Sequence, residues 1–164
     1  MTKKIDNSDI TLLIDTREQQ FHSIEKYCIE KGMNIEHKKL DFGDYSFKYQ
    51  GIDFSSKFSI ERKNSLEEIS SNLTANRERF KREFARAKGS NFHIVIENGS
   101  YDKVINSNYN TGLNNKAFLA SLISLQIEFD VKIHFISKKY SPIMVFALVH
   151  YFIRNELKQS ITSE

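Results

Sequence analysis

The sequence has one proline and one cysteine in 164 residues, and no apolar run long enough to span a bilayer. Each scarcity excludes something. Cys28 has no partner for an internal disulfide, which fits a reducing compartment. The longest apolar stretch, Ile143 to Ile153 around His150, falls well short of the ~20 residues that cross hydrocarbon. Met1-Thr2-Lys3-Lys4 leads into polar residues with no apolar h-region, so no signal peptide is read and a cytoplasmic, intracellular location is expected. No repeat, linker or low-complexity tract breaks the chain, and residues 1–164 read as one domain. What is present fits a packed globule: 13 Phe, 7 Tyr, 40% apolar and 27% charged residues. A chain of this length buries roughly 70% of its unfolded surface and needs no metal or disulfide staple.

The net charge of +3 is unevenly placed. Thr74 to Gly89 holds Arg77, Arg79, Lys81, Arg82, Arg86 and Lys88 against Glu78 and Glu83, a local +4, so the rest of the chain is close to neutral. A polyanion-binding patch looks like this, and so does a solvated helix face.

Short buried strands alternate with helices. Ile10 to Ile14 and Phe92 to Ile96 are unbroken apolar runs, the pattern of central strands. Helical spacing covers Glu18 to Lys31, stopped by Gly32. Asn34 to Leu40 reads as a strand. Tyr45 to Tyr49, the Gln50-Gly51 turn and a return over Ile52 to Lys63 read as a hairpin. Ser65 to Asn72 and Asn76 to Lys88 are helical, the latter with Phe80, Phe84 and Ala87 on one stripe. Ser100 to Thr111 reads as a loop with at most one helical turn. Leu113 to Phe129 is an apolar helix and Val131 to Ile136 a strand. Ser141-Pro142 reads as an N-cap and first-turn proline opening a helix to about Lys158, with a frayed tail from Gln159. The sum is a three-layer α/β domain with a mixed sheet.

Asp15, Asp44, Glu61 and Glu97 all fall where strands end or turn, the places where sites gather in α/β domains. Alternation along Ser59 to Lys63 puts Glu61 and Lys63 on one face and Ile60 and Arg62 on the other. A hairpin would bring Asp44 beside them, giving Asp-x(16)-Glu-x-Lys. Phosphodiester hydrolysis uses such a set: carboxylate oxygens for a hard divalent cation that keeps several waters, and a lysine for the water or the charged transition state. Taken alone the spacing also fits a surface ion pair. Gly43 permits a sharp turn before Asp44, and the basic helix follows closely.

Ile14-Asp15-Thr16-Arg17-Glu18, Leu40-Asp41-Phe42-Gly43-Asp44-Tyr45 and Ile60-Glu61-Arg62-Lys63-Asn64-Ser65-Leu66-Glu67 together closely resemble the XPF-family nuclease domain, with its GD-x(n)-ERK-x(3)-D pattern, of the PD-(D/E)XK superfamily. Asn76-Arg77-Glu78-Arg79-Phe80 and Phe92 to Glu97 resemble that family's next helix and strand. The resemblance runs from about Thr11 to Glu97, with helix-strand-helix beyond. It implies a restriction-endonuclease-like fold and a Mg²⁺- or Mn²⁺-dependent endonuclease acting on branched DNA such as flaps, forks or junctions. Carried over, Asp15, Asp44 and Glu61 would bind metal, Glu18 would support the site, Lys63 would be the catalytic lysine and Arg62 a phosphate or transition-state contact. The Arg62 role needs a twist or bulge where the strand ends. Glu67 stands where the family has Asp, one methylene longer.

The resemblance further implies a homodimer through residues 112–158, consistent with a last helix apolar nearly all round. Family members with a tandem helix-hairpin-helix module grip DNA through it; the chain ends at Glu164 without one, so either this domain or an accessory DNA-binding protein would do so. A short stand-alone form resembles phage or bacterial enzymes of DNA repair or recombination. Beside this motif, Arg77, Arg79, Lys81, Arg82 and Arg86 read as DNA phosphate contacts. Tyr101 and Tyr109 could stack on splayed bases or simply cover surface. The five histidines lack ligand spacing and read as structural, and Cys28 as packed core. The alternatives are a catalytically silent DNA-binding or scaffolding subunit, which would typically lose the Glu-Arg-Lys motif, and a sequence-specific restriction-type nuclease.

Overall fold

The computed structural model describes residues 4–163; the first three residues, read above for a leader, and the terminal Glu164 lie outside it. Among the described residues no helix is long and apolar enough to cross a membrane.

Over the described residues, a mixed sheet of seven strands carries six α-helices on its two faces, the three-layer arrangement the sequence pattern implied. Strand β1 (Ile10–Ile14) lies between β2 (Asn34–His37), parallel, and β3 (Tyr45–Tyr49), antiparallel, which is why its sequence has almost no polar alternation. Helix α1 (His22–Glu30) makes the crossover from β1 to β2. It begins later than the expected Glu18 because the chain first turns: the Glu18 amide donates to the Asp15 carbonyl at 3.0 Å and the Gln20 amide to Glu18 Oε1 at 3.1 Å. Strand β2 also stops short of Leu40.

The expected hairpin is present but its return is in two pieces. After the Gln50-Gly51 turn, β4 (Ile52–Asp53) pairs with the end of β3. A turn at Phe54–Lys57 follows, and β5 (Phe58–Lys63) rejoins β3 at Tyr45 opposite Ile60. From there the chain makes two parallel steps outward. Helices α2 (Leu66–Leu73) and α3 (Arg77–Arg86) lead to β6 (Asn91–Glu97), and α4 (Tyr101–Ile105) and α5 (Asn115–Phe129) lead to β7 (Val131–Ile136).

Helix α6 (Ser141–Thr162) closes the fold. Ser141 is not its cap: Tyr140 holds that place without a side-chain bond, and the Ser141 hydroxyl turns to Glu97 instead. The helix continues past Lys158 through the segment expected to fray.

Strand alternation sorts the side chains into two cores. Phe58, Ile60 and Val95 face α1 and α6, meeting Ile24, Cys28, Val145, Val149 and Ile153. Phe92, Ile94 and Ile96 face α2 to α5, meeting Ile69, Phe84, Phe118 and Leu122. Cys28 is fully buried, and burial pushes its thiol up to about 12, so it is inert core.

The strand directions place the site. β1, β5 and β6 are mutually parallel in direction, with antiparallel β3 between β1 and β5. The carboxyl ends of those three strands and the start of β3 therefore share one edge of the sheet. Asp15, Asp44, Glu61 to Lys63 and Glu97 all lie there.

Candidate active site

The Asp44 turn is built tightly into that edge. The Asp44 amide donates to the Ile60 carbonyl at 2.8 Å, the Asp44 carbonyl accepts from the Asp15 amide at 2.8 Å, and Asp44 Oδ2 accepts from the Arg62 amide at 2.8 Å. Gly43 makes this possible. Its φ is +76°, and a Cβ there would lie 1.7 Å from Ser59 Oγ, so neither the conformation nor the space admits a side chain.

Glu61 and Lys63 project together from β5 toward α3, as alternation requires. Lys63 Nζ donates to Glu61 Oε1 at 2.9 Å and sits 5.3 Å from the centre of the Phe80 ring. Burial opposes the Lys63 charge, but Glu61 outweighs it and keeps the ammonium firmly protonated. Two small cavities of about 220 and 200 Å³ meet at Glu61, Arg79 and Glu83. The first adds Lys63, Asn72, Asn76 and Phe80; the second adds Asp15, Arg17, Asp41, Gly43, Asp44 and Arg86.

Arg62 faces the opposite way. Its Nε and Nη2 donate to Glu18 at 2.9 and 3.1 Å, and its Nη1 to Glu97 Oε1 at 2.6 Å. Glu97 Oε2 accepts from the Ser141 hydroxyl at 2.6 Å. All four residues are buried. The β5–β6 register is continuous from Phe58 to Lys63, so the strand has no bulge to turn Arg62 toward Glu61, and Arg62 lines neither cavity. Burial alone would raise Glu18, but the Arg62 guanidinium outweighs it and holds the carboxyl below the ordinary range.

Asp15 stands beside Asp44 with its oxygens already engaged. Arg17 donates to it through its amide, Nε and Nη2 at 2.9, 2.8 and 3.0 Å, and the Leu40 amide donates at 2.7 Å. Burial pushes this carboxyl up, yet those bonds together keep it low. Asp44 and Glu61 are the reverse case. Burial, then the charge of Glu18, raises Asp44 to about 7. Burial, then the charge of Asp44, raises Glu61 well above a normal glutamate. Burial first, and a neighbouring carboxylate's charge after it, makes these two carboxyls resist ionising.

The remaining expected residues are spread out. Glu67 stands apart on α2, where its Oε1 accepts from the Asn110 amide at 2.8 Å and steadies the loop before α5. The basic residues of α3 divide between two flanks. Arg79 and Arg86 face the cavities, while Arg77 and Lys81 line a separate groove of about 190 Å³ against α5. Arg82 is exposed. Tyr101 packs on Phe135 and Tyr109 on Phe118, with the Tyr109 hydroxyl donating to the Leu113 carbonyl, so both tyrosines are loop anchors. Two residues at the cavities, Arg17 and Glu83, had no role in the sequence reading. Glu83 was counted only as an acid within a basic stretch, although its spacing from Arg79 (i+4) and to Arg86 (i+3) already put all three on one helix face.

A hard divalent cation fits this chemistry. The carboxylate donors are oxygen, and a cation would favour the ionised forms of Asp44 and Glu61 that burial opposes. Among the described residues no group of three or more His, Cys, Asp or Glu side chains is arranged to hold a metal by itself. Two carboxylates with retained waters and a phosphate oxygen are the usual complement of Mg²⁺.

Carboxylates and a buried lysine gather at the strand ends of an α/β sheet, the edge where such folds place their ligand sites, beside a basic helix. The model of the ERCC4 domain matches residues 14–147, and the chain belongs to that family. Its structure is similar to XPF from Aeropyrum pernix, at 17% identity and a TM-score of 0.63, over 85% of this chain and 65% of that one. It is similar again to XPF from Aeropyrum pernix in complex with DNA, at 17% identity and a TM-score of 0.65, over 88% of this chain and 66% of the other. This chain therefore spans slightly under two thirds of those chains, and at such identity the likeness establishes the fold. No curated protein matches the sequence.

Proposed function

We propose that the protein is a metal-dependent endonuclease hydrolysing DNA phosphodiester bonds, with branched structures such as flaps, forks and junctions as its substrates. The observation that carries this reading is the pairing of Lys63 with Glu61 at 2.9 Å beside Asp44, in cavities flanked by Arg79 and Arg86. Membership of the ERCC4-domain family supports it, as does a DNA-bound XPF among the similar structures.

Asp44 and Glu61 would hold Mg²⁺ or Mn²⁺, with Asp15 joining them if Arg17 releases it. The cation, when bound, would supply Lewis acidity at the phosphoryl oxygen and a more acidic bound water. Lys63, held charged, orients the attacking water and faces the negative charge that develops on the phosphorus oxygens. Arg79 and Arg86 seat the DNA backbone along the cleft. Arg62 supports from behind: its amide fixes Asp44 and its side chain locks Glu18 and Glu97. We place a symmetric homodimer contact in residues 112–158, and an accessory DNA-binding protein would extend the grip on substrate.

Cleavage of end-labelled flap, fork, four-way-junction and linear duplex DNA in Mg²⁺, Mn²⁺ or EDTA tests the reading, with Asp44→Ala and Lys63→Ala as controls. Metal-dependent cutting of the branched substrates, lost in both variants, is expected. Binding without cutting in either metal would overturn it in favour of a silent DNA-binding subunit, in which Asp15 stays closed by Arg17. Fixed cut sites in linear duplex would instead indicate a restriction-type enzyme.

A further inference from the structure

Helix α3 touches the turn that carries Asp44 at two points. Glu83 Oε1 accepts from the Gly43 amide at 3.1 Å, and Arg86 Nε donates to the Asp41 carbonyl at 3.2 Å. Glu83 and Arg86 are three residues apart on the face that also bears Arg79. The helix is rooted in the core by its apolar stripe, Phe80 and Phe84, which pack on each other at 4.4 Å between ring centres, Phe84 packing in turn on Phe92. The turn has little slack. Gly43 is clamped over Ser59, whose hydroxyl donates to the Phe42 carbonyl at 2.9 Å, and Asp44 is tied to Ile60, Arg62 and Asp15.

Glu83 is an unexpected residue in that position. It adds a negative charge beside Asp44 and Glu61, where two carboxylates already crowd, and it interrupts the basic character of the helix. A glutamate placed there for solubility would point to solvent. This one is half-buried, lines both cavities and spends one oxygen on a backbone amide directly before Asp44.

We propose that Glu83 is a positioning residue for Asp44: by accepting the Gly43 amide it fastens the Asp44 turn to α3 and sets where the Asp44 carboxylate stands relative to Glu61 and Lys63. The element that seats the DNA phosphates is then the same element that holds the Asp44 turn in register. The consequence for cleavage rests on the nuclease reading; the mechanical tie does not. Displacing a reacting group by about 1 Å can cost on the order of 100-fold in rate, so a side chain acting through the Gly43 amide can control turnover from here.

The test compares wild type, Glu83→Gln, Glu83→Ala and a control on the same helix, Glu78→Ala, which lines neither cavity. Gln keeps an oxygen that can accept the Gly43 amide and removes the charge; Ala removes both. Two readouts are taken. Hydrogen exchange at the Gly43 amide, without metal or DNA, is expected to speed up roughly five- to tenfold in Glu83→Ala and to stay near wild type in Glu83→Gln and Glu78→Ala. Cleavage kinetics are expected to show kcat down on the order of 100-fold in Glu83→Ala, KM for DNA little changed, and most of the rate restored in Glu83→Gln.

Unchanged exchange in Glu83→Ala would overturn the proposal whatever the kinetics. A Glu83→Gln enzyme as slow as Glu83→Ala would overturn it too, since charge rather than the amide bond would then matter. If wild type cuts no DNA, the nuclease reading fails by itself, and the exchange measurement still decides whether Glu83 holds the turn.

Discussion

The Arg62 amide donates to Asp44 on one side of the sheet edge at 2.8 Å, while the Arg62 guanidinium reaches Glu97 on the other at 2.6 Å. A single residue thus supports the carboxylate turn and closes a buried ion network, and the two roles use different atoms. Removing the side chain leaves the amide in place but strands Glu18 and Glu97 without their counter-charge. Breaking a buried pair by deleting one partner costs about 3–5 kcal/mol. Arg62→Met is therefore expected to lower unfolding stability by roughly that amount, read from urea denaturation at constant m-value, and to lower activity only as far as the stranded Glu18 and Glu97 disturb the strand ends. A stable, inactive Arg62→Met protein would show instead that the guanidinium works on substrate.

Asp44 and Glu61 make the opposite prediction. Both are held in an environment that resists their ionisation, so the site costs stability when no cation is bound. Asp44→Asn keeps an oxygen for the Arg62 amide and removes the charge. In EDTA at pH 8 it is expected to be more stable than wild type, by about 1 kcal/mol or more. Added Mg²⁺ should raise the melting temperature of wild type by mass action and leave Asp44→Asn unmoved. Equal responses of the two proteins to Mg²⁺ would argue against a cation at Asp44.

Much of this was legible in the chain, for reasons that differ by element. The strands β1 and β6 could be read because burial on both faces leaves nearly continuous apolar runs, and β7 at the sheet edge because Val131, Ile133 and Phe135 alternate with Lys132 and His134. The two-faced arrangement of Glu61 and Lys63 against Arg62 followed from alternation alone. Contacts between distant residues could not be read. Nothing local marks Glu97 as the partner of Arg62, Ser141 as the donor to Glu97, or Glu67 as the tether of Asn110, because each pair is brought together by sheet order. The N-cap reading of Ser141 failed for the same reason: a buried carboxylate competed successfully for its hydroxyl. Glu83 was hidden in another way, since charge counting averaged it into the stretch around it.

The histidine pair gives a pH signature. His93 is buried with its Nδ1 at 2.9 Å from His134 Nε2, and its Nε2 meets Asn91 Oδ1. Burial, then His134 and Lys132, pushes the His93 pKa down to about 3, and burial also lowers His134. An unfolded histidine takes its proton near pH 6.5. Between about 6.5 and 3 the unfolded chain thus binds the proton that folded His93 refuses, and stability falls as pH drops through that window. At full difference the slope is about 1.4 kcal/mol per pH unit for this group. Asp44 and Glu61, with raised values, run the other way in metal-free protein. The check is therefore the difference between wild type and His93→Gln across pH 7 to 4.5: wild type should lose stability faster. Parallel curves would mean that His93 accepts its proton in the fold.

The oligomeric proposal has its own surface. β7 is an edge strand of the sheet, and helices α5 and α6, before and after it in the chain, leave large apolar side chains in water. Ile127 of α5 is 79% exposed, Tyr151 of α6 60% and Ile143 of α6 47%. Helix α6 spends Val145, Val149 and Ile153 on the core, with Met144, Phe146, Leu148, Phe152 and Leu157 packed against it, and leaves Ile143, Tyr151 and Ile161 in water. Two copies meeting through this region would cover them. Sedimentation velocity at micromolar concentration should then give a dimer. Because neither side chain is buried in the fold, the double variant Ile127→Lys, Ile143→Lys should be a monomer with stability within about 0.5 kcal/mol of the wild-type monomer. Wild type sedimenting as a monomer would remove the dimer proposal. A dimer that survives both substitutions would move the contact to another face.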